Sequence, residues 1–167
     1  MESLVHKTKS LLILMVWAGI ANAKPAPPFH GELMTGERVS LSQYVKPGRA
    51  LLLCFWATWC VPCMEELQQV KDHLKAMPAL ALDMVAVNVD TSETSADVKP
   101  TARQRKYDFP IIMDPKQEIF SKYQRENSLP FSALIDAKGD IVETFNGFQE
   151  GMFAKVETLI KAADAKP

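Results

Sequence analysis

Two hydrophobic patterns alternate along the chain and predict different elements. Residues 49–56 (RALLLCFW) and 83–90 (DMVAVNVD) are short, mainly apolar runs, which are typical of strands buried on both faces of a sheet. Between them, apolar residues recur at spacings of three and four from Leu67 to Met77, which predicts an amphipathic helix. Pro78 ends that helix. The order strand, helix, strand indicates a parallel unit.

The flanking segments complete an α/β pattern. We expect an N-terminal hairpin and a helical turn within residues 30–45, and a polar loop over residues 91–109, where Pro100 interrupts any helix. The later segments are predicted as a strand (110–114), a short helix (117–124), an antiparallel hairpin (131–145) and an amphipathic helix (151–164). Together they predict a mixed central sheet with helices on both faces and an N-terminal hairpin.

The first 23 residues have the three parts of a secretory signal peptide. Lys7 and Lys9 precede an apolar stretch, and Ala-Asn-Ala ends at Ala23. We therefore predict a signal peptide over 1–23, cleavage after Ala23, and one domain over 24–167. The alternative is an uncleaved leader that anchors the protein to a membrane, although the uncharged stretch has 13 residues and a span needs about 20. Export places the protein in the periplasm, where thiols are exposed to oxidation.

Composition narrows the classes of function. The 167 residues are 47% hydrophobic and 23% charged, which is ordinary for a soluble globular domain. The formal net charge is -1, so we expect no binding to nucleic acid.

All three cysteines lie within residues 51–67, and Cys60 and Cys63 form a C-x-x-C motif. A closed zinc site would need a second such pair, so we predict no metal. Cys60 falls at the first turn of the predicted helix, where free N–H groups favour a thiolate, and Cys63 faces the apolar side. We therefore predict a redox-active disulfide in which Cys60 attacks and Cys63 resolves, with no other cofactor. Trp59 is expected at the edge of the site.

The motif FWATWCVPC, followed downstream by SLPFSALIDAKGDIV, resembles the TlpA/ResA-type thiol-disulfide oxidoreductases of the thioredoxin superfamily. The resemblance covers most of residues 24–167 and implies a thioredoxin-like fold. It also implies a cis bond before Pro130, which would expose the backbone of Leu129 beside Cys60 for pairing with an extended substrate.

Two acids and a third cysteine surround this motif. Glu65 points away from the apolar stripe, towards solvent, whereas Glu66 lies at its edge, one turn beyond Cys63. Either Glu66 is a partly buried proton relay, as the resemblance also implies, or it is an acid that favours an early helical position. Cys54 stands where thioredoxin has a buried aspartate, and Ala86 where it has the partner lysine. We expect Cys54 to be a small buried hydrophobe.

We therefore predict an exported, monomeric enzyme that reduces disulfides in protein substrates. The resemblance implies a membrane thiol-reductant transporter as the electron donor. Alternatives are a disulfide-donating oxidant of the same fold and a copper-binding chaperone. The chaperone fits less well, because similar copper proteins use C-x-x-x-C and a distant histidine. A peroxidase motif, T-x-x-C with an arginine, does not fit TWCVPC.

Overall fold

A computed structural model of the protein describes residues 24–149 and 151–164. The predicted signal peptide, residues 1–23, lies outside the described residues. Within the described ranges, no helix combines the length and apolar character that crossing a membrane requires.

The described chain contains one eight-stranded sheet. Its strands are β1 (Lys24–Pro25), β2 (His30–Leu33), β3 (Arg38–Ser40), β4 (Ala50–Trp56), β5 (Leu82–Asn88), β6 (Ile111–Met113), β7 (Phe131–Ile135) and β8 (Asp140–Asn146). Their order in the sheet is β1-β8-β7-β4-β5-β6-β2-β3. Strands β4, β5 and β6 are parallel, and the other pairings are antiparallel. The mixed sheet and the N-terminal hairpin, β2–β3, are confirmed.

Helices cover the two faces of the sheet. They are α1 (Val61–Ala76), α2 (Val98–Gln104), α3 (Phe120–Tyr123) and α4 (Met152–Asp164). Alternate side chains of β4 face opposite ways. Phe55 packs against Phe120 of α3, with ring centroids 5.1 Å apart, whereas Cys54 lies on the face that receives Glu66 of α1. This double cover explains why residues 51–56 are all buried and why their sequence is continuously apolar.

The expectation that residues 91–109 form a loop, with Pro100 interrupting any helix, is wrong. The structure has α2 there, with Val98 and Ala102 buried and Pro100 in its first turn. A proline is tolerated at that place because the first N–H groups of a helix have no partner within it. The presence of Pro100 therefore does not exclude a helix that begins just before it.

The entry hairpin is held tightly against the sheet at Gly31. A Cβ atom built on Gly31 would lie 2.6 Å from Cγ2 of Ile112 and 3.3 Å from Cδ1 of Ile119. Both isoleucines are buried, so the neighbouring side chains have little room to move.

Gly31→Ala should therefore destabilise the protein by about 1–3 kcal/mol through crowding. Urea unfolding followed by circular dichroism measures the change. Gly36→Ala is a contrast and not a matched control: no atom lies within 4 Å of its built Cβ, so its loss of stability comes from the φ of 93° and not from crowding. A Gly31→Ala variant as stable as the wild type would show that the hairpin is not packed as described.

Candidate active site

The C-x-x-C motif joins the end of β4 to the start of α1. Cys60 is the N-cap of α1 and forms a disulfide with Cys63, with an S–S distance of 2.02 Å. The backbone N–H of Cys63 donates a hydrogen bond to Sγ of Cys60 at 3.3 Å. Cys60 is 5% exposed and Cys63 is 1% exposed, so both are buried in the disulfide form, whereas Cys60 was expected to be exposed. The neighbouring Trp59 and Val61 are exposed, so the motif reaches the surface between two apolar side chains.

The proline loop lies at the same edge of the sheet. The bond between Leu129 and Pro130 is cis, as expected. Because Phe55 of β4 pairs with Phe131 of β7, the residue before β7 lies beside the end of β4, where the chain runs into the motif. Pro130 is buried and its carbonyl accepts a hydrogen bond from the N–H of Gly147 at 2.8 Å. The structure therefore brings the predicted proline loop to the C-x-x-C edge.

Glu66 is buried beneath this edge. It is 2% exposed, and one carboxylate oxygen, Oε1, accepts a hydrogen bond from the hydroxyl of Ser132. The other oxygen, Oε2, is buried without a hydrogen-bond partner among the described residues. Burial raises the pKa of Glu66 from 4.5 to about 7, although the Ser132 hydrogen bond lowers it. A carboxyl group with such a pKa can take up and release a proton near neutral pH.

These observations separate Glu66 from Glu65. Residues 61–64, the first turn of α1, contain no acid, so neither glutamate has the helix-start position that the simpler interpretation required. Glu65 is exposed, as expected, but Glu66 is more deeply buried than an edge position implied. The structure therefore favours the buried-carboxylate interpretation of Glu66.

Cys54, in β4, lies near the Glu66 carboxyl group. It is 1% exposed and pairs with Ser132 across the β4–β7 register. Burial, with a contribution from the Glu66 charge, raises the pKa of the Cys54 thiol far above the physiological range. The thiol stays protonated, and the expectation of a buried, uncharged cysteine is confirmed.

A polar network that the sequence analysis missed supports the motif from β5. The buried carboxylate of Asp90 accepts hydrogen bonds at 2.7 Å from the backbone N–H of Thr58, the hydroxyl of Thr58 and the side-chain amide of Asn88. Hydrogen bonds to charged groups contribute about 1.5–3 kcal/mol each. They fasten the loop before Cys60 to the end of β5. Polar residues within the apolar run 83–90 were the available signal.

Ser132 was missed as well. It is the single polar residue in β7, whose five residues are all buried. A lone serine in an apolar strand is a weak signal, because the sequence does not show what would pair with it.

Among the described residues, no group of three or more His, Cys, Asp or Glu side chains is arranged to hold a metal ion.

The fold and the paired cysteines define a thiol-disulfide oxidoreductase with a thioredoxin-like fold. The chain belongs to the AhpC/TSA family, which it matches over residues 23–161. Sporulation thiol-disulfide oxidoreductase A of Bacillus subtilis is 34% identical over 141 residues, which cover 80% of this chain and 83% of that protein. Thiol-disulfide oxidoreductase ResA of the same organism is 30% identical over 153 residues, covering 89% and 83%.

A solved structure agrees with these relatives. The crystal structure of StoA from Bacillus subtilis superposes with a TM-score of 0.63 at 30% identity, covering 80% of this chain and 97% of that one. The protein is therefore a thiol-disulfide oxidoreductase of the ResA/StoA type.

The burial of Glu66 should make stability depend on pH. Because its folded pKa of about 7 exceeds its ordinary 4.5, the folded state binds the proton more tightly. Ionisation thus removes stability as the pH rises from about 4.5 to about 7. Glu66→Gln, which stays neutral, should gain about 3 kcal/mol relative to the wild type between about pH 4 and pH 8.

Urea unfolding of the oxidised protein at both pH values measures this difference. Glu65→Gln is the matched control, since Glu65 is the exposed neighbour on the same helix. An equal stability difference between Glu66→Gln and wild type at both pH values would contradict a raised pKa.

Proposed function

We propose that this protein reduces disulfides in exported proteins, with Cys60 as the attacking and Cys63 as the resolving cysteine. The observation that carries the reductive direction is the weak stabilisation of the Cys60 sulfur. One backbone N–H, from Cys63, donates to it, and residues 57–70 contain no lysine, arginine or histidine. A poorly stabilised thiolate favours the oxidised enzyme and so makes the dithiol a good reductant.

The reaction proceeds through a mixed disulfide. The Cys60 thiolate attacks one substrate sulfur and forms a new S–S bond. The other substrate sulfur leaves with the electron pair of the broken bond and takes a proton from water. Cys63 then loses its S–H proton to Glu66, and its sulfur attacks Sγ of Cys60. The bond between Cys60 and the substrate breaks, and the second substrate sulfur leaves with the electron pair and is protonated by water. The substrate gains two electrons, the enzyme becomes the disulfide, and Glu66 returns its proton to solvent.

Substrate binding uses the surface around the motif. The backbone of Leu129, next to Pro130, pairs with an extended segment of the substrate as an added strand would. Trp59 is 63% exposed and Val61 is 57% exposed, so both offer apolar contact on either side of Cys60. These residues supply affinity for an unfolded or extended chain, while the cysteines supply the chemistry.

The dithiol is the only cofactor that this cycle requires, and a donor must regenerate it in an oxidising compartment. We propose that the enzyme acts as a monomer in the periplasm after cleavage at Ala23, and that a membrane thiol-reductant transporter supplies the electrons. The support is the leader pattern of residues 1–23 together with the reductive direction argued above.

Replacing the cysteines one at a time tests their roles. Cys60→Ser should reduce insulin-disulfide reduction to the uncatalysed level. Cys54→Ser should keep more than about half of the wild-type rate, because a buried, protonated thiol takes no part in exchange. Equal loss of activity in the two folded variants would contradict the inert role of Cys54.

The redox midpoint tests the direction. We expect a value on the order of -270 mV, because residues 57–70 contain no basic side chain to stabilise the thiolate. A dithiothreitol redox titration followed by tryptophan fluorescence measures it, with Trp56 and Trp59 as reporters. The Cys63→Ser variant, which forms no internal disulfide, is the control for the fluorescence signal. A midpoint above about -150 mV would overturn the reductase assignment in favour of disulfide donation.

A further inference from the structure

We propose that Ser132 is a positioning residue for disulfide reduction: its hydroxyl holds one oxygen of the Glu66 carboxylate and leaves the other free to take the proton of Cys63. This inference rests on the proposed function, in which Glu66 is the proton acceptor, and it assigns the group that prepares Glu66 for that role.

The placement of Ser132 connects three parts of the site. It lies in β7, two residues after Pro130, and it pairs with Cys54 of β4 in the antiparallel register. Its side chain is 1% exposed, so its hydroxyl has no access to bulk water. A buried hydroxyl is tolerated when it finds a partner, and here the partner is Oε1 of Glu66 on α1.

The two oxygens of Glu66 are therefore unequal. Oε1 is held by Ser132, whereas Oε2 is buried and unpaired among the described residues. Each oxygen of an ionised carboxylate can accept hydrogen bonds. A buried carboxylate oxygen that accepts none costs free energy, so Oε2 is ready to take up a proton. Because Glu66 follows Cys63 by one turn of α1, the proton released when Cys63 attacks has an acceptor on the same side of the helix.

Cys54 lies opposite Ser132 in the β4–β7 register. Burial holds the Cys54 thiol protonated, so no thiolate competes with Glu66 for the single hydroxyl proton of Ser132. Cys54 on β4 and Cys63 on α1 are the titratable groups next to Glu66, and no charged side chain pairs with it in the described part of the chain.

A hydroxyl that donates to a carboxylate stabilises its ionised form, so the hydrogen bond from Ser132 lowers the pKa of Glu66 against the larger effect of burial. Removing the hydroxyl should leave the carboxylate harder to ionise, so that proton transfer from Cys63 needs a higher pH. Keeping the hydroxyl on a different side chain should preserve the wild-type behaviour. The pair Ser132→Thr and Ser132→Val separates these effects, because the two side chains share a shape and differ in the hydroxyl.

The experiment is a single-turnover oxidation of the pre-reduced, full enzyme by saturating glutathione disulfide, followed by tryptophan fluorescence across the pH range. The wild-type rate should rise with pH through an apparent pKa near 7, the pKa of Glu66. Ser132→Val should move that rise upward by about one pH unit, with about tenfold slower turnover below it. Ser132→Thr should follow the wild type, and Glu66→Gln should lack the rise near pH 7 and keep only the rise that comes from ionisation of the Cys60 thiol.

The double variant decides whether Ser132 acts through Glu66. Ser132→Val should change the Glu66→Gln rate by less than about twofold, because the group that Ser132 positions is already gone. Equal pH profiles for the Val and Thr variants, or an equal slowing of the Glu66→Gln enzyme by Ser132→Val, would overturn the proposal.

Two further outcomes keep the conclusions separate. A Glu66→Gln enzyme that retains the wild-type pH rise would remove Glu66 from the reaction and overturn this proposal, while the roles of Cys60 and Cys63 would stand. Near-ultraviolet circular dichroism checks the fold of each variant. If Ser132→Val does not fold, the smaller Ser132→Ala takes its place, and carbon-13 NMR of the Glu66 carboxyl must show the same upward pKa shift.

Discussion

The hydrogen bond between Ser132 and Glu66 joins the helix that carries the cysteine pair to the strand that follows the proline loop. Glu66 belongs to α1, the helix that begins at the cysteine pair, and Ser132 belongs to β7, which starts just after Pro130. The contact is buried, so water does not compete for it, and its loss would leave the Glu66 carboxylate without a hydrogen-bond partner among the described residues. This buried hydrogen bond therefore links the helix of the cysteine pair to the strand that follows the proline loop.

Burying the Glu66 carboxylate lowers the stability of the folded protein when the group is ionised. Burial disfavours the ionised form, and this raises the pKa of Glu66 to about 7. A carboxyl group with a pKa of about 7 is only partly ionised at neutral pH, whereas an exposed glutamate with the ordinary pKa of 4.5 is almost fully ionised. The fold therefore gives up part of its stability to hold a titratable group one helical turn from Cys63, and such groups are common at active sites.

A second polar network maintains the geometry from the other side. Asp90, which follows β5, accepts hydrogen bonds from the backbone N–H and from the hydroxyl of Thr58. The segment between β4 and Cys60 is therefore held at two atoms. Ser132–Glu66 supports the helix and Asp90–Thr58 supports the loop. Trp59 and Val61 lie between these two networks and are exposed, so they contribute little to the core and are accessible from solvent.

Local patterns in the sequence determined much of this protein. The apolar run before Cys60 predicts β4, the three- and four-residue spacing predicts α1, and the C-x-x-C motif predicts the redox pair, because neighbouring residues set these features. The loop with a cis bond before Pro130 was expected from the resemblance to the TlpA/ResA-type proteins and not from a local pattern. Helix α2 was missed because Pro100 breaks a helix interior but is accepted in a first turn. Tertiary structure decided the rest. Ser132 and Glu66 are 66 positions apart, and Thr58 and Asp90 are 32 apart. Only the pairing of β4 with β5 and β7, and the packing of α1 on this sheet, bring such polar groups together, and burial then raises the pKa of Glu66.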